Sequence, residues 1–339
     1  MIRVAVIGAG QWGPNLIRNF HDRRRSEVAW VVDPSEPRLA EARVRFPDVR
    51  VAADADAVLA DPAVDAAVIA TPTSTHHRLV KRALEHGKHV LVEKPVTADV
   101  AQAAELDALA RRHGRVLMVG HVFLYNAGVR RVKQLLDAGE LGRVYYVSMV
   151  RTNLGPIRTD VNAAWDLASH DVSIVDYWLG APALTVSAVG ASWINPGVED
   201  AVFATLRYSG DVLVNLHVSW LNPRKTRDVT VVGERRMLTF DDMNVAEPLR
   251  VYDKQVTDER TAAPWVDSFA SFRASVRDGD VTIPKVGPNE PLKAECDHFL
   301  DCIATGAAPL SGGPEALAVV RALDAIGRSA RAGGREERV

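Results

Sequence analysis

The chain has 339 residues, 47% of them hydrophobic, and a formal net charge of -2. That much apolar material fills a sizeable core, and the length suggests two domains. A charge balance this close to neutral offers no basic face for nucleic acid or an anionic lipid surface, so neither partner is expected.

The first strand, read over residues 2 to 7, runs into Gly8-Ala9-Gly10-Gln11-Trp12-Gly13 and then a helical stretch through Phe20. A pyrophosphate needs close backbone approach and free N–H donors at a helix N-terminus, and glycines at the first, third and sixth loop positions supply both. A second apolar run, residues 28 to 32, ends in Asp33, where a carboxylate would accept the two hydroxyls of an adenosine ribose and repel a 2′-phosphate. This favours NAD over NADP, although Arg38 stands close enough in sequence to meet a phosphate. Taken alone, the same residues also read as an ordinary turn with Asp33 capping the next helix.

Short apolar runs near Val51, Val68, Val90 and Leu117 continue the alternation with helices, which predicts a doubly wound parallel sheet. The run through Ile69 ends at Pro72, which cannot continue a ladder, so Thr71, Pro72 and Thr73 turn out at the carboxyl edge where ligands bind in such sheets. A helix then carries His76 as far as His86. The next strand, residues 88 to 92, delivers Glu93-Lys94-Pro95 to the same edge.

After Gly120 the pattern changes. A helix over 126 to 138 precedes a strand over 143 to 151 and a helix over 169 to 179. Strands near Val186, Val202, Leu213, Val229, Leu238 and Val251 then follow without intervening helices. Turns such as Ser209-Gly210-Asp211 make them hairpins, so the second sheet is expected to be mainly antiparallel. Two amphipathic helices, 292 to 305 and 314 to 331, and a polar, loose tail complete the chain. The expected organisation is a Rossmann domain (1–122), a substrate-binding and oligomerisation α+β domain (123–290), C-terminal helices (291–331) of which one returns to the first domain, and the tail (332–339).

No basic, apolar leader opens the sequence, no apolar segment reaches spanning length, and Cys296 and Cys302 are the only cysteines. A reduced, cytoplasmic setting is therefore expected. The ten histidines are scattered, and His76-His77 lacks companions at a ligand spacing, so no metal is expected.

Two places carry candidate proton chemistry. Lys94, just after a buried strand, can hold or deprotonate an alcohol; a surface lysine in a tight turn is the equal alternative. In Trp165-Asp166-Leu167-Ala168-Ser169-His170-Asp171 the carboxylate and imidazole of Asp166 and His170 stand four apart, on one face if helical, as a proton-handling pair; the alternative is a capped helix start with an incidental histidine.

The glycine loop, Ala70-Thr71-Pro72-Thr73-Ser74-Thr75-His76, Glu93-Lys94-Pro95 and the Asp166 to His170 segment together resemble the glucose-fructose oxidoreductase/inositol dehydrogenase (Gfo/Idh/MocA) family over nearly the whole chain. The resemblance implies an α/β architecture in which a Rossmann domain precedes an open, mostly antiparallel sheet. It also implies NAD-dependent hydride transfer at a ring alcohol, with Lys94 and His170 as the catalytic pair and Asp166 assisting. Thr71 to His76 and Glu93 to Pro95 would line the nicotinamide. Finer texture is similar to the branch acting at C3 of nucleotide-linked sugars, with Tyr125, Arg151, Asn153, Arg158, Asn162 and Trp165 as substrate contacts; a Ser169 where that branch has Pro is a departure. Reduction of a keto-sugar or cyclitol, and an NAD(H)-sensing protein without catalysis, are the alternatives. Trp193, Trp220 and Trp265 read as core or subunit interface, and a homodimer or homotetramer through the open sheet is expected.

Overall fold

A computed structural model describes residues 1–257 and 275–339. Trp265 lies outside the described residues. Two compact units form, one from Met1–Asn126 with Asn289–Asp324, the other from Ala127–Pro288 with Ala325–Val339.

The first unit is built on six parallel strands: β1 (Ile2–Ile7), β2 (Ser26–Val32), β3 (Arg50–Ala52), β4 (Ala66–Ile69), β5 (His89–Glu93) and β6 (Leu117–Gly120), in the order β3-β2-β1-β4-β5-β6. Every residue of β4 is buried, as helices on both faces require of a doubly wound sheet. The strand order reverses between β1 and β4, so their carboxyl ends open a crevice. Five helices connect the strands: α1 (Gly13–His21), α2 (Glu36–Arg45), α3 (Ala55–Leu59), α4 (Thr73–Glu85) and α5 (Val100–His113).

Late residues return to this unit. Phe299 of α8 (Pro291–Thr305) meets Phe20 of α1 edge to face at 6.3 Å, and Arg23 pairs with Asp297 at 2.6 Å. Val119 on the edge strand β6 donates its N–H to Ser311 O and accepts from Ser311 Oγ, which covers an edge that would otherwise recruit another chain. The last helix, α9 (Gly313–Arg331), starts in this unit and ends in the other.

The second unit opens with α6 (Ala127–Asp137) and β7 (Val144–Leu154), then a π-helical turn (Ala164–Ala168) running directly into α7 (Ser169–Leu179). Strands β8 (Thr185–Ala191), β9 (Ala201–Arg207), β10 (Leu213–Ser219), β11 (Leu221–Gly233), β12 (Met237–Asp241), β13 (Leu249–Thr257) and β14 (Ser275–Thr282) follow. With β15 (Glu337–Arg338) they form one sheet ordered β14-β13-β12-β11-β7-β10-β9-β8-β15, antiparallel throughout except for β7 with β10. Alternation sets its faces: Val202, Ala204 and Leu206 on β9 and Val214, Leu216 and Val218 on β10 are buried, while Phe203, Leu213 and Tyr146 are exposed. Trp178 of α7 donates its indole N–H to Val129 O of α6 at 2.9 Å, and Trp220 is wholly buried.

The tail departs from expectation. Glu337 and Arg338 pair with Val186 and Thr185 of β8, and Arg328 pairs with Glu337. Backbone bonding to a free sheet edge needs no apolar side chains, so a polar sequence gives no sign of it.

One buried acid makes the second unit sensitive to pH. Asp176 on α7 accepts the Tyr208 hydroxyl at 2.8 Å, and burial pushes its carboxyl up to about 7. A folded-state pKa above the unfolded value means the contribution is intact below about pH 4 and is lost as pH rises through about 7, on the order of 4 kcal/mol. Asp176→Asn is therefore expected to flatten the denaturation midpoint between pH 5 and 8, with the variant gaining on the wild type at pH 8; an equal difference at both pH values would refute this.

Candidate active site

The glycine loop is shaped by atoms its missing side chains would strike. Gly8 sits at φ +102°, donates its N–H to Val32 O at 2.7 Å, and would place a Cβ 2.5 Å from Ala70 O, so the loops after β1 and β4 touch. A Cβ on Gly13 would overlap the carbonyl oxygen of Gly8. At Gly10 the Arg38 guanidinium alone among the described residues comes near, at 3.7 Å. Gln11 and Trp12 are exposed at the mouth of α1, whose first turn contains Pro14. This is the room and the donor set that a dinucleotide pyrophosphate needs.

Asp33, 3% exposed, joins the loop to the end of β2: Oδ2 accepts the Ala9 N–H at 2.8 Å and Oδ1 the Ser35 N–H at 2.9 Å. Arg38 reaches the same Oδ2 at 3.4 Å from a half-exposed position. Oδ1, with the Ser35 N–H as its one donor among the described residues, keeps a lone pair for a further donor such as a ribose hydroxyl.

At the next strand ends, Thr71 Oγ1 lies 2.6 Å from Thr75 Oγ1 as α4 begins at Thr73 behind Pro72. His76, expected beside the cofactor, is instead 1% exposed, with Nδ1 2.8 Å from Pro95 O and Nε2 2.8 Å from Thr71 O. It brackets the loop after β4 to the loop after β5, with both ring nitrogens engaged by backbone carbonyls. Two carbonyl partners favour the doubly protonated ring, yet burial outweighs them and pushes the imidazole below its ordinary value.

Lys94 follows Glu93 out of β5, both half-buried, into a group of acids and bases whose His121 and Glu295 are buried. Burial raises the Glu93 carboxyl to about 7, against the pull of Lys94 and a hydrogen bond from the Trp12 indole. Gly120 makes room for that carboxyl, since a Cβ there would stand 3.3 Å from Oε2. His121 is driven down to about 3 by burial and the Lys94 charge, which favours its neutral form. From α8, Glu295 is 1% exposed and raised by burial and by Glu93, with Oε1 lacking a hydrogen-bond partner among the described residues. Neither His121 nor Glu295 was picked out from sequence. The signal existed for Glu295: it is a carboxylate inside the apolar stripe of Leu292, Cys296 and Phe299. Tyr125 also belongs to this unit, but it is fully buried with its hydroxyl 3.9 Å from Met118 Sδ, so the expected sugar contact is closed to solvent and the residue packs as core.

The second unit holds the other candidate residues. Asp166 lies in the π-helical turn, Oδ1 accepting from Arg158 Nη1 at 3.2 Å and Oδ2 from Trp220 Nε1 at 3.1 Å. His170, partly exposed, sits in the first turn of α7, its carbonyl accepting the Ser173 hydroxyl at 2.8 Å. Arg151 does not face solvent: it is buried, and its Nε donates to Asp171 Oδ1 at 2.7 Å. Burial raises the Asp171 carboxyl against that guanidinium's pull. Arg158 also pairs with Asp160 at 2.6 Å, Asn162 donates to Glu199 at 2.6 Å and accepts the Trp165 N–H, and Asn153 donates to Gly155 O. Asn153, Arg158, Asn162 and Trp165 all remain partly exposed. Among the described residues no group of three or more His, Cys, Asp or Glu could hold a metal ion, and no helix is long and apolar enough to cross a membrane.

Comparison with known proteins bears on both units. Residues 2–121 match an oxidoreductase family with an NAD-binding Rossmann fold, and residues 129–239 match the C-terminal domain of the same family. The chain is 29% identical over 307 residues to UDP-N-acetylglucosamine 3-dehydrogenase of Acidithiobacillus ferrooxidans, covering 89% of each protein. The solved structure of that enzyme superimposes with a TM-score of 0.83 over 98% of both chains at 26% identity. Identity to scyllo-inositol 2-dehydrogenase (NAD(+)) of Bacillus subtilis is 30%, over 58% of this chain and 60% of that protein's length. GenD2 from gentamicin A biosynthesis, solved in complex with NAD, gives a TM-score of 0.81 at 27% identity, covering all of this chain and 96% of that one. The protein is thus an oxidoreductase belonging to the Gfo/Idh/MocA family.

Proposed function

We propose that the protein transfers a hydride between nicotinamide and a ring secondary alcohol of a nucleotide-linked sugar, with C3 as the reacting carbon. The extent of similarity carries this reading: the match to UDP-N-acetylglucosamine 3-dehydrogenase takes in 89% of the chain, that to the inositol enzyme 58%. When bound, NAD supplies the hydride acceptor. Gly8, Gly10, Gln11, Trp12 and Gly13 hold its pyrophosphate, and Thr71, Pro72, Thr73, Glu93 and Lys94 line the nicotinamide. His170 takes the hydroxyl proton, Lys94 hydrogen-bonds the same oxygen and stabilises developing alkoxide, and Asp166 assists. Asn153, Arg158, Asn162 and Trp165 face the sugar. A second copy covers the exposed sheet face of Tyr146, Phe203 and Leu213, giving a homodimer or homotetramer.

Asp33 sets the preference for NAD in this reading. Asp33→Ser removes the charge that repels a 2′-phosphate and leaves Arg38 to meet it, so the ratio of NADH to NADPH affinity is expected to fall by about 10- to 100-fold. Fluorescence titration with both cofactors checks it; an unchanged ratio would refute it.

The function itself is tested by absorbance at the reduced-nicotinamide band while nucleotide sugars, uronic acids, cyclitols and keto-sugars are added singly. NADH formed with a nucleotide sugar, and a 3-keto product by NMR, supports the reading. Activity confined to cyclitols or to keto-compounds overturns it.

A further inference from the structure

We propose that Asp171, held by Arg151, is a positioning residue: with the bonds that hold Asp166 it fixes the helical register in which His170 is presented, across a π-helical turn that could otherwise slide. The proposal rests on the reading of His170 as the proton-carrying group.

The π-helical turn Ala164–Ala168 runs without a break into α7. A π turn holds about one residue more than an α turn, and one residue rotates everything beyond it by roughly 100° about the helix axis. The position of that extra residue therefore decides which way His170 points. If it moved toward the C-terminus by a few residues, His170 would swing to another face with only local change in backbone bonding.

Both ends of this segment are tied to fixed elements. Within the turn, Asp166 accepts from Trp220, a fully buried indole, at 3.1 Å, and from Arg158 at 3.2 Å. Immediately after His170, Asp171 accepts from Arg151 Nε at 2.7 Å, with the two side chains 1% and 8% exposed. Arg151 is itself set by the sheet. It lies on β7 directly opposite Arg227 of β11, and Arg227 attracts Asp171 while pairing with Asp242 at 2.8 Å. Enclosing such an ion pair is costly, and an apolar pair of the same volume would stabilise the fold as well or better. What the ion pair adds is direction. Any register that turned Asp171 away would leave the Arg151 guanidinium enclosed without its carboxylate, so the alternative positions of the π turn are penalised.

The test compares three full-length variants with the wild type. Asp171→Ala removes the anchor, and Asp171→Asn keeps an acceptor for Arg151 Nε. Val175→Ala opens a space in the buried face of the same helix without touching either anchor. With NAD and UDP-N-acetylglucosamine, Asp171→Ala is expected to lower kcat by about 100-fold while KM and NADH affinity stay within about threefold. Asp171→Asn is expected to recover kcat to within about fivefold of wild type, and Val175→Ala to stay within about twofold. Wild-type kcat in folded Asp171→Ala, an equal loss in Val175→Ala, or no recovery in Asp171→Asn would each overturn the proposal. Hydrogen exchange of peptides spanning 164–172 gives a readout free of turnover: faster exchange in Asp171→Ala than in Val175→Ala supports the lock, and equal exchange sinks it. Should His170→Ala retain turnover, the reading of His170 fails, and the exchange comparison still decides whether Asp171 fixes the register.

Discussion

His170→Ala is expected to lower kcat by about 1000-fold while leaving NADH affinity within about twofold. Oxidising an alcohol requires that the hydroxyl proton leave as hydride departs from carbon, and an imidazole has a pKa suited to taking it near neutral pH. The position suits the role. His170 is partly exposed, in the first turn of a helix whose neighbouring residues are bonded to the sheet at Trp220 and Arg151, so its backbone is held while its ring can reach a ligand. The glycine loop belongs to a separate element of the chain, which is why cofactor affinity should survive. Lys94→Met provides the complementary loss. His121 beside it is kept neutral by burial, so the positive charge offered to a developing alkoxide at that strand end comes from Lys94. Steady-state rates with titration of NADH by fluorescence separate the two effects. Turnover retained in His170→Ala would remove the imidazole from the mechanism.

The second large effect is expected in the glycine loop, where two substitutions of the same size should fail differently. In Gly13→Ala the new Cβ meets the Gly8 carbonyl oxygen, a backbone atom that cannot rotate away, so the loop must open. Loss of stability of about 1–3 kcal/mol and of NADH affinity by at least about 100-fold should appear together. In Gly10→Ala the new Cβ meets nothing closer than the Arg38 guanidinium at 3.7 Å, an ordinary contact. The protein should melt as the wild type does, yet lose NADH binding, because the methyl group stands where a pyrophosphate must approach the backbone. Thermal melts beside NADH titrations distinguish the cases. Wild-type melting and affinity in Gly13→Ala would show that the loop geometry is wrong.

These two sites mark what could be read from the chain and what could not. The turn at residues 8–13, the place of Asp33 at the end of β2 and the parallel sheet were legible because they depend on neighbours in sequence: a strand, a turn that only glycine fits, a helix. The hairpins of the second sheet were legible for the same reason, as the Ser209-Gly210-Asp211 turn joins β9 to β10. Long-range pairing was not. His76 was expected to face the cofactor because it stands in a motif that lines the crevice, but its ring spans to Pro95, 19 residues away. Arg151 reads in sequence as an anion contact, and its Nε is taken by Asp171, 20 residues on. The depth of Tyr125 and the pairing of the tail likewise depend on what the rest of the fold brings alongside. The π turn leaves no mark in the sequence, because apolar spacing of three or four residues does not register a single inserted one.

Hydride transfer from a sugar ring carbon leaves an isotopic trace in the reduced cofactor. UDP-N-acetylglucosamine carrying deuterium at C3 is incubated with the protein and NAD, and the reduced cofactor is weighed by mass spectrometry. The proposed reaction predicts reduced cofactor one mass unit heavier than that formed from unlabelled sugar, with a primary isotope effect on single-turnover rates. Reduced cofactor without the label, or none at all from this sugar while another substrate class yields it, would contradict the assignment of the reacting carbon and of the substrate.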